Sequence, residues 1–367
     1  MAIRKRESKK AKGGYVYEAY FYHVKDGIRK RISKSGFKTK KEAQEYIALK
    51  QAELHETGNI AKECKKTFED VYYEFLELGC DKYQHNTIYN TKNVFNTYII
   101  RDLGKYPVTH LNYVILQKYF NLLSVDGLER NKCIRKAIKR VLDFAIKMGY
   151  IQTNPINLVT VKGTIHESHE NKVISISDFN RIIEALNKRK EYKYKVYSIA
   201  LQIGLYTGLR ISEVLALEKE DIDFEQNLIF VNKKLNYQGL KKTEFYTSKD
   251  MKSKTSNAYI PLANKLKDIL IEWFQQNTNN RVICDKDGYY INPNIFGMDM
   301  KEIYKDLGIN LHFHLLRHSF CSMLVTNNIN IKTAQELMRH SNINTTLSLY
   351  THINNEIKKN AVNEIFK

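Results

Sequence analysis

Proline is scarce in this chain, with four in 367 residues, and its five cysteines (Cys64, Cys80, Cys133, Cys284, Cys321) show no CxxC spacing. One cysteine would be left over from any pairing, which argues for a reducing compartment and against a disulfide framework or a structural zinc site. No apolar run reaches the roughly eighteen residues that a membrane helix needs, and no apolar leader-like segment lies near the start. The opening MAIRKRESKKAKGG is basic and polar instead, and reads as a flexible arm. A cytoplasmic, nucleoid-associated protein is the expectation. Acidic residues are also in short supply: 40 Asp+Glu face 59 Lys+Arg, a formal net charge of +19. Such an excess attracts polyanions, and nucleic acid is the first candidate among them. With no apolar anchor beside the charge, no membrane partner is expected. The hydrophobic share of 43% is that of a globular protein and excludes wholesale disorder. The length calls for two or three domains.

The charge is unevenly placed. Residues 1–66 hold 18 Lys+Arg against 8 Asp+Glu, so ten of the nineteen net charges sit there. YVYEAYFYHV (15–24) alternates as a strand, Asp26-Gly27 signals a hairpin turn, and RKRIS (29–33) is the returning strand. Thr39 with Glu42 makes a capping box for a helix running to Glu56 and closed by Gly58. The result is a small basic sheet plus one helix, with Arg29, Lys30 and Arg31 as candidate DNA contacts.

From Thr67 to Pro155 the pattern is helical. Thr67 and Asp70 cap FEDVYYEFLEL, and TIYNTKNVFNTYII, LNYVILQKYFNLL and RNKCIRKAIKRVLDFAIKMG follow. The last joins an apolar stripe (Ile134, Ile138, Val141, Leu142, Ala145) to a basic face of Lys132, Arg135, Lys136, Lys139 and Arg140. That face reads equally as solvated surface or as a contact to a DNA backbone. Asn154-Pro155 ends the segment, and residues 156–174 have no period and read as an exposed linker. Ser177-Asp178 opens the next helix. The stretch to residue 367 mixes helices with at least one hairpin, its strands near LIFVNKKL and AYIPL.

Three clusters in this last stretch carry chemistry. TGLRISEVLAL puts Arg210 at a helix start after the Thr207-Gly208 break, with Glu213 one turn on, either orienting it or packing structurally. The hairpin MKSKTSNAYIPL holds Lys252 and Lys254, and the stretch from His314 to His352 holds His314, Arg317, His340 and Tyr350. Singly, an arginine, a hairpin lysine or one of 25 tyrosines says little. Together they match the needs of phosphodiester exchange. His314 and Arg317, three apart, share a helix face. Two guanidiniums, Arg210 and Arg317, can fork onto non-bridging phosphate oxygens as charge builds in the transition state. A tyrosine hydroxyl, with pKa near 10, attacks if a neighbour helps. The leaving 5′-oxygen is a far worse anion, and a lysine on a hairpin can protonate it. His312, His314, His318 and Cys321 also admit a metal-cluster reading, but it leaves Tyr350 and Arg210 unexplained. His318 is assigned to the fold.

In order and spacing, Arg210, Lys252, His314, Arg317, His340 and Tyr350 resemble the catalytic set of the tyrosine recombinase (phage integrase) family. The resemblance spans the chain: the helical segment ending GYIQTNP is similar to the family's core-binding domain, and the N-terminal sheet with GFKTKKEAQEYI to its arm-type DNA-binding domain. It implies a mainly α fold with small β elements in three domains. These are a β-sheet-plus-helix arm domain (1–66), a four-helix core-binding domain (67–160) and a mixed α+β catalytic domain (175–367). It further implies a 3′-phosphotyrosine formed by Tyr350, with neither metal nor ATP. The implied partners are double-stranded DNA at core and arm sites, a tetramer on DNA, and accessory directionality or bending proteins. Integration and excision of a mobile element is the expected role; the alternatives are a housekeeping dimer-resolving recombinase and a DNA-binding relative without activity. Two departures stand out. Leu315 follows His314 where the family commonly has Asp. Lys252 lies nine residues before Pro261 and Lys254 seven, so a one-residue loop difference exchanges them; Lys252 is preferred.

Overall fold

The computed structural model describes residues 2–8, 14–25, 28–57, 64–165, 173–249, 257–327, 329–340 and 342–343. The chain divides into two compact units, residues 1–167 and 168–367.

The first unit has two separate cores. Strands β1 (Ala2–Glu7), β2 (Tyr15–Lys25) and β3 (Ile28–Phe37) make an antiparallel sheet in that order. The expected flexible arm is therefore wrong for residues 2–7, which form an edge strand with Arg4 opposite Glu18. Alternation explains it: Ile3 packs onto the small core, while Arg4 and Arg6, on the other face, both reach Glu18. β3 also runs four residues past the expected strand. Helix α1 (Lys40–Thr57) buries Ala43 and Ile47 against Ala19 and Phe21. Its Thr39 oxygen accepts from the Glu42 N–H at 3.2 Å, whereas the Glu42 carboxylate accepts from Lys38, one residue earlier than a capping box requires. Asp26-Gly27 and Gly58 lie outside the described residues.

The second core belongs to helices α2 (Phe68–Leu78), α3 (His85–Val94), α4 (Ile100–Leu103), α5 (Tyr113–Leu122) and α6 (Leu128–Lys147). Thr67 and Asp70 satisfy each other's N–H groups in a complete capping box. The single helix expected over 87–100 is wider in its middle. A π-helical turn at Phe95–Ile99 joins α3 to α4, with Phe95 and Ile99 buried and Phe95 stacked on Tyr72 at 3.8 Å. The segment after Pro155 is no exposed linker at first. Ile156 and Val159 are buried in the helical core, and Thr164 pairs with Gly127. Two apolar residues three apart leave too little pattern to reveal this.

In the second unit Ser175, not Ser177, caps α7 (Ile176–Asn187), accepting from the Asp178 N–H at 3.0 Å. α8 (Tyr192–Thr207) and α9 (Ile211–Val214) follow, then β4 (Ile222–Asp223) and β5 (Leu228–Val231). Next come β6 (Lys234–Asn236), β7 (Tyr246–Ser248) and β8 (Ala258–Pro261). LIFVNKKL thus divides between two sheets: β5 lies between β4 and β8, while β6 pairs with β7. The unit closes with α10 (Asn264–Gln276), α11 (Pro293–Leu307), α12 (Phe313–Thr326) and α13 (Ile331–Met338). α8 is apolar on nearly every side and runs through the core. A methyl group at Gly204 would lie 2.6 Å from the Phe313 ring, so glycine lets α12 approach closely.

If residues 156–164 are part of the helical domain, Ile156→Ala should destabilise it by about 2–4 kcal/mol, as a buried large-to-small change does. Denaturant unfolding followed by far-UV circular dichroism measures this. An unchanged midpoint would return the segment to the linker.

Candidate active site

The site is built around the turn between α8 and α9. Gly208 ends α8 at φ +64°, where an added Cβ would strike the Phe320 ring at 2.6 Å. The chain is thereby turned so that Arg210 caps α9 and Glu213 reaches back to it. Glu213 accepts the Arg210 N–H at 2.9 Å and the Arg210 Nη1 at 3.0 Å. A third donor, Arg339 Nη2, meets the same carboxylate at 2.6 Å. Burial alone would raise the Glu213 carboxyl, but the charges and hydrogen bonds of Arg339 and Arg210 hold it below the usual range.

Helix α12 supplies the next pair. His314 and Arg317 are one turn apart, as the spacing predicts. Arg317 is buried, donating Nη1 to the Gly208 carbonyl at 2.6 Å and Nη2 to the Met338 carbonyl. It therefore ties the end of α8 to the end of α13. Burial, and then repulsion from Arg210, pulls its pKa down to about 9, so it stays charged at neutral pH. His340 lies two residues past the end of α13. Its ring is pushed down to about 4, first by the surrounding protein and then by Arg317 and Arg210. His314 is pushed to about 4 in the same way, by surrounding protein, His318 and Arg317, although it keeps solvent access. His318 stacks edge-on against His314, centroids 4.8 Å apart, so it touches the charged cluster as well as the fold.

Four of the six expected catalytic residues thus converge: Arg210, His314, Arg317 and His340. Lys252, its alternative Lys254, and Tyr350 lie outside the described residues. Sequence reasoning missed Arg339. Its signal was position alone, a basic residue immediately before His340. Among the described residues no group of three His, Cys, Asp or Glu is placed to hold a metal ion.

The expected DNA contacts divide. On α6, Lys132 and Lys136 are exposed, and Lys132 pairs with Glu129. Arg135 donates to the Ile156 and Asn157 carbonyls, Lys139 pairs with Asp143, and Arg140 donates to Thr91. Lys132 and Lys136 are thus exposed on that face, while the three others are half-buried with partners inside the helical domain. In the sheet, Arg31 bonds Glu18 at 3.3 Å and lies over the Tyr20 ring; Arg29 and Lys30 sit on β3, their side chains outside the described residues. Arg4 and Arg6, read as part of an arm, meet the same Glu18, so three arginines share one buried carboxylate. The hydrogen bond from Arg4 leads in holding that carboxyl below its ordinary range. Among the described residues no helix is long and apolar enough to cross a membrane.

Two guanidiniums and two imidazoles gathered at one place suit a phosphodiester, whose non-bridging oxygens accept from the first and whose proton transfers call for the second. The chain belongs to the phage integrase family, whose model matches residues 172–356. An arm DNA-binding domain matches residues 6–54, and the N-terminal SAM-like domain of phage integrases matches residues 67–124. A tyrosine recombinase XerC-like protein of Caldanaerobacter subterraneus subsp. tengcongensis is 26% identical, over 71% of this chain and 72% of its own. A probable integrase of prophage ps2 in Lactococcus lactis is 22% identical, over 95% of this chain and 96% of its own. In fold the chain is similar to the Tn1549 transposon integrase, at TM-score 0.65, 21% identity, 82% of this chain and 100% of that one. A lambda integrase structure gives 0.59 at 15% identity over 94% of each chain.

The lowered histidines make a pH test. Because the folded state binds fewer protons than the unfolded chain, the stability they contribute is whole above the ordinary histidine pKa, near 6.5, and is lost as pH falls toward 4. The melting temperature should therefore fall over that window, and His314→Gln with His340→Gln should flatten the fall. Differential scanning calorimetry of both proteins decides; parallel curves would mean the imidazoles are not held neutral.

Proposed function

We propose that this protein is a tyrosine-type site-specific DNA recombinase that integrates and excises a mobile genetic element, cleaving DNA through a 3′-phosphotyrosine on Tyr350. The observation that carries the reading is the convergence of Arg210, His314, Arg317 and His340, each within electrostatic reach of the others. Arg210 and Arg317 hold the non-bridging oxygens, and their charge is strongest in effect where the transition state adds charge. Neutral His314 takes the phenolic proton as Tyr350 Oη bonds to phosphorus. The P–O5′ bond breaks, and Lys252 protonates the departing oxygen. The freed 5′-hydroxyl then attacks the phosphotyrosine of the partner duplex, so one phosphoester is exchanged for another and no bond energy is lost.

Support also comes from the relatives. The Tn1549 integrase similar in fold is bound to transposon right-end DNA, and the lambda integrase dimer is bound to a core site. A housekeeping dimer-resolving role is disfavoured, because the arm-type module is part of this chain and the prophage relative aligns over nearly all of it. Residues 1–66 then bind distal arm sites, residues 67–160 and 175–367 bind the core site, and two successive strand exchanges proceed in a tetramer with accessory bending or directionality proteins.

On a suicide substrate nicked beside the cleavage site, the wild type should form an SDS-resistant adduct and Tyr350→Phe none. An adduct with the Phe variant would mean another nucleophile. Separately, a 5′-bridging phosphorothiolate leaves without needing a proton. Lys252→Ala should cleave it while failing on ordinary DNA; rescue of Lys254→Ala instead would transfer the acid's role to Lys254.

A further inference from the structure

Arg339 is an unusual residue for its place. It has φ +53° in the left-handed region at the end of α13, a conformation that costs any residue with a Cβ. Its side chain is 99% hidden from solvent and makes a 2.6 Å ion pair with a carboxylate 126 positions earlier in the chain. Asparagine or glycine would hold the turn more easily; what arginine adds here is the guanidinium's bond to Glu213.

The hydrogen bonds show what that is. Each carboxylate oxygen has two lone pairs. Glu213 Oε2 already accepts the Arg210 backbone N–H at 2.9 Å and the Arg339 Nη2 at 2.6 Å, which fills it. Only Oε1 remains for the Arg210 side chain, through Nη1 alone at 3.0 Å. Arg and carboxylate otherwise prefer the two-pronged pairing. With Oε2 open, Arg210 would close that fork on Glu213 and turn its donors away from solvent.

We propose that Arg339 is a positioning residue that occupies Glu213 and so keeps Arg210 bound by one nitrogen, its other donors presented to the phosphate. The same side chain fixes the backbone next to His340, so one ion pair sets the place of two site residues. This rests on the recombinase reading for its consequence in catalysis, though not for the geometry.

The test uses the full-length protein. Arg339→Met keeps the left-handed backbone cost and removes the competing cation; Arg339→Lys keeps the charge. Arg339→Met should slow adduct formation on a suicide substrate by about tenfold or more, with core-site affinity changed by no more than about twofold, as for a group acting in the transition state. Lys should recover part of the rate. The decisive variant is Arg339→Met combined with Glu213→Gln: with no carboxylate left to capture Arg210, the double variant should cleave faster than Arg339→Met alone. A merely structural role gives the opposite, a double variant as slow or slower, and overturns the proposal; so does an unchanged rate in Arg339→Met. Melting curves identify a variant that fails to fold, and in that case Arg339→Lys carries the comparison. Should wild type form no adduct, the recombinase reading falls, and the Nη–H signals of Arg210, assigned by Arg210→Lys, still decide the role of Arg339. They should become protected from exchange in Arg339→Met as the fork closes, and unchanged protection would refute it.

Discussion

A buried carboxylate needs partners, and the second unit is organised around the partners of Glu213. Removing water from an ionised carboxyl is costly, and a buried pair broken by loss of one member costs about 3–5 kcal/mol. Glu213 avoids that cost by bonding a backbone N–H and two guanidiniums from places far apart in the chain. It thereby fixes the α8–α9 turn against the end of α13, while Arg317 fixes the same two places through carbonyls. The arrangement is over-determined, and this lets it hold a non-glycine residue at φ +53°. It also leaves an imbalance. Three guanidiniums face one carboxylate, and their repulsion adds to burial in pulling Arg317 down to about 9 and the His314 and His340 rings to about 4. An anion with two accepting oxygens removes the repulsion. Donors fixed in advance around such a position are what electrostatic preorganisation means physically.

The small sheet repeats the device on a surface. Glu18 lies in the middle strand with Arg4, Arg6 and Arg31 over it, and the tyrosines beside them stiffen the arginines, Arg31 lying 4.4 Å from the Tyr20 centroid. One negative charge in the centre of three positive ones reduces their mutual repulsion, so they can share a face without spreading apart. Each arginine still has donors beyond those given to Glu18. In both units, then, a carboxylate does not neutralise the basic residues so much as gather them.

The legibility of these features in the sequence follows their range. The helices of the first unit were readable because each carries its own apolar stripe, and Ile134 through Ala145 recur at helical spacing. The capping of α2 was readable because Thr67 and Asp70 are three residues apart. Arg210, His314, Arg317 and His340 were legible as a set because the resemblance fixes their order, and their convergence is a tertiary fact that no window of sequence contains. Arg4 and Arg6 were hidden because an edge strand with one apolar residue looks like a polar tail. Ile156 and Val159 were hidden because burial there comes from helices made by earlier residues. Arg339 was hidden for a deeper reason: a cation beside a histidine has no meaning until Glu213, 126 residues away, is known to be its partner.

Net charge is the feature most easily over-read here. The basic face of α6 looks like a DNA-binding stripe, yet Arg135, Lys139 and Arg140 are engaged by carbonyls, a carboxylate and a hydroxyl of the same domain. A side chain that must leave an internal partner to reach a phosphate gains only the difference between the two interactions. For the exposed Lys132 and Lys136 such an exchange would cost far less, since a surface ion pair such as Lys132–Glu129 contributes about 1 kcal/mol at most. Long-range attraction to DNA depends on all of the +19, because fields add regardless of local pairing. Tight contact depends on the few cations with donors to spare. Under the role proposed for Arg339, Arg210 joins that second group because another arginine occupies the carboxylate that would otherwise claim it.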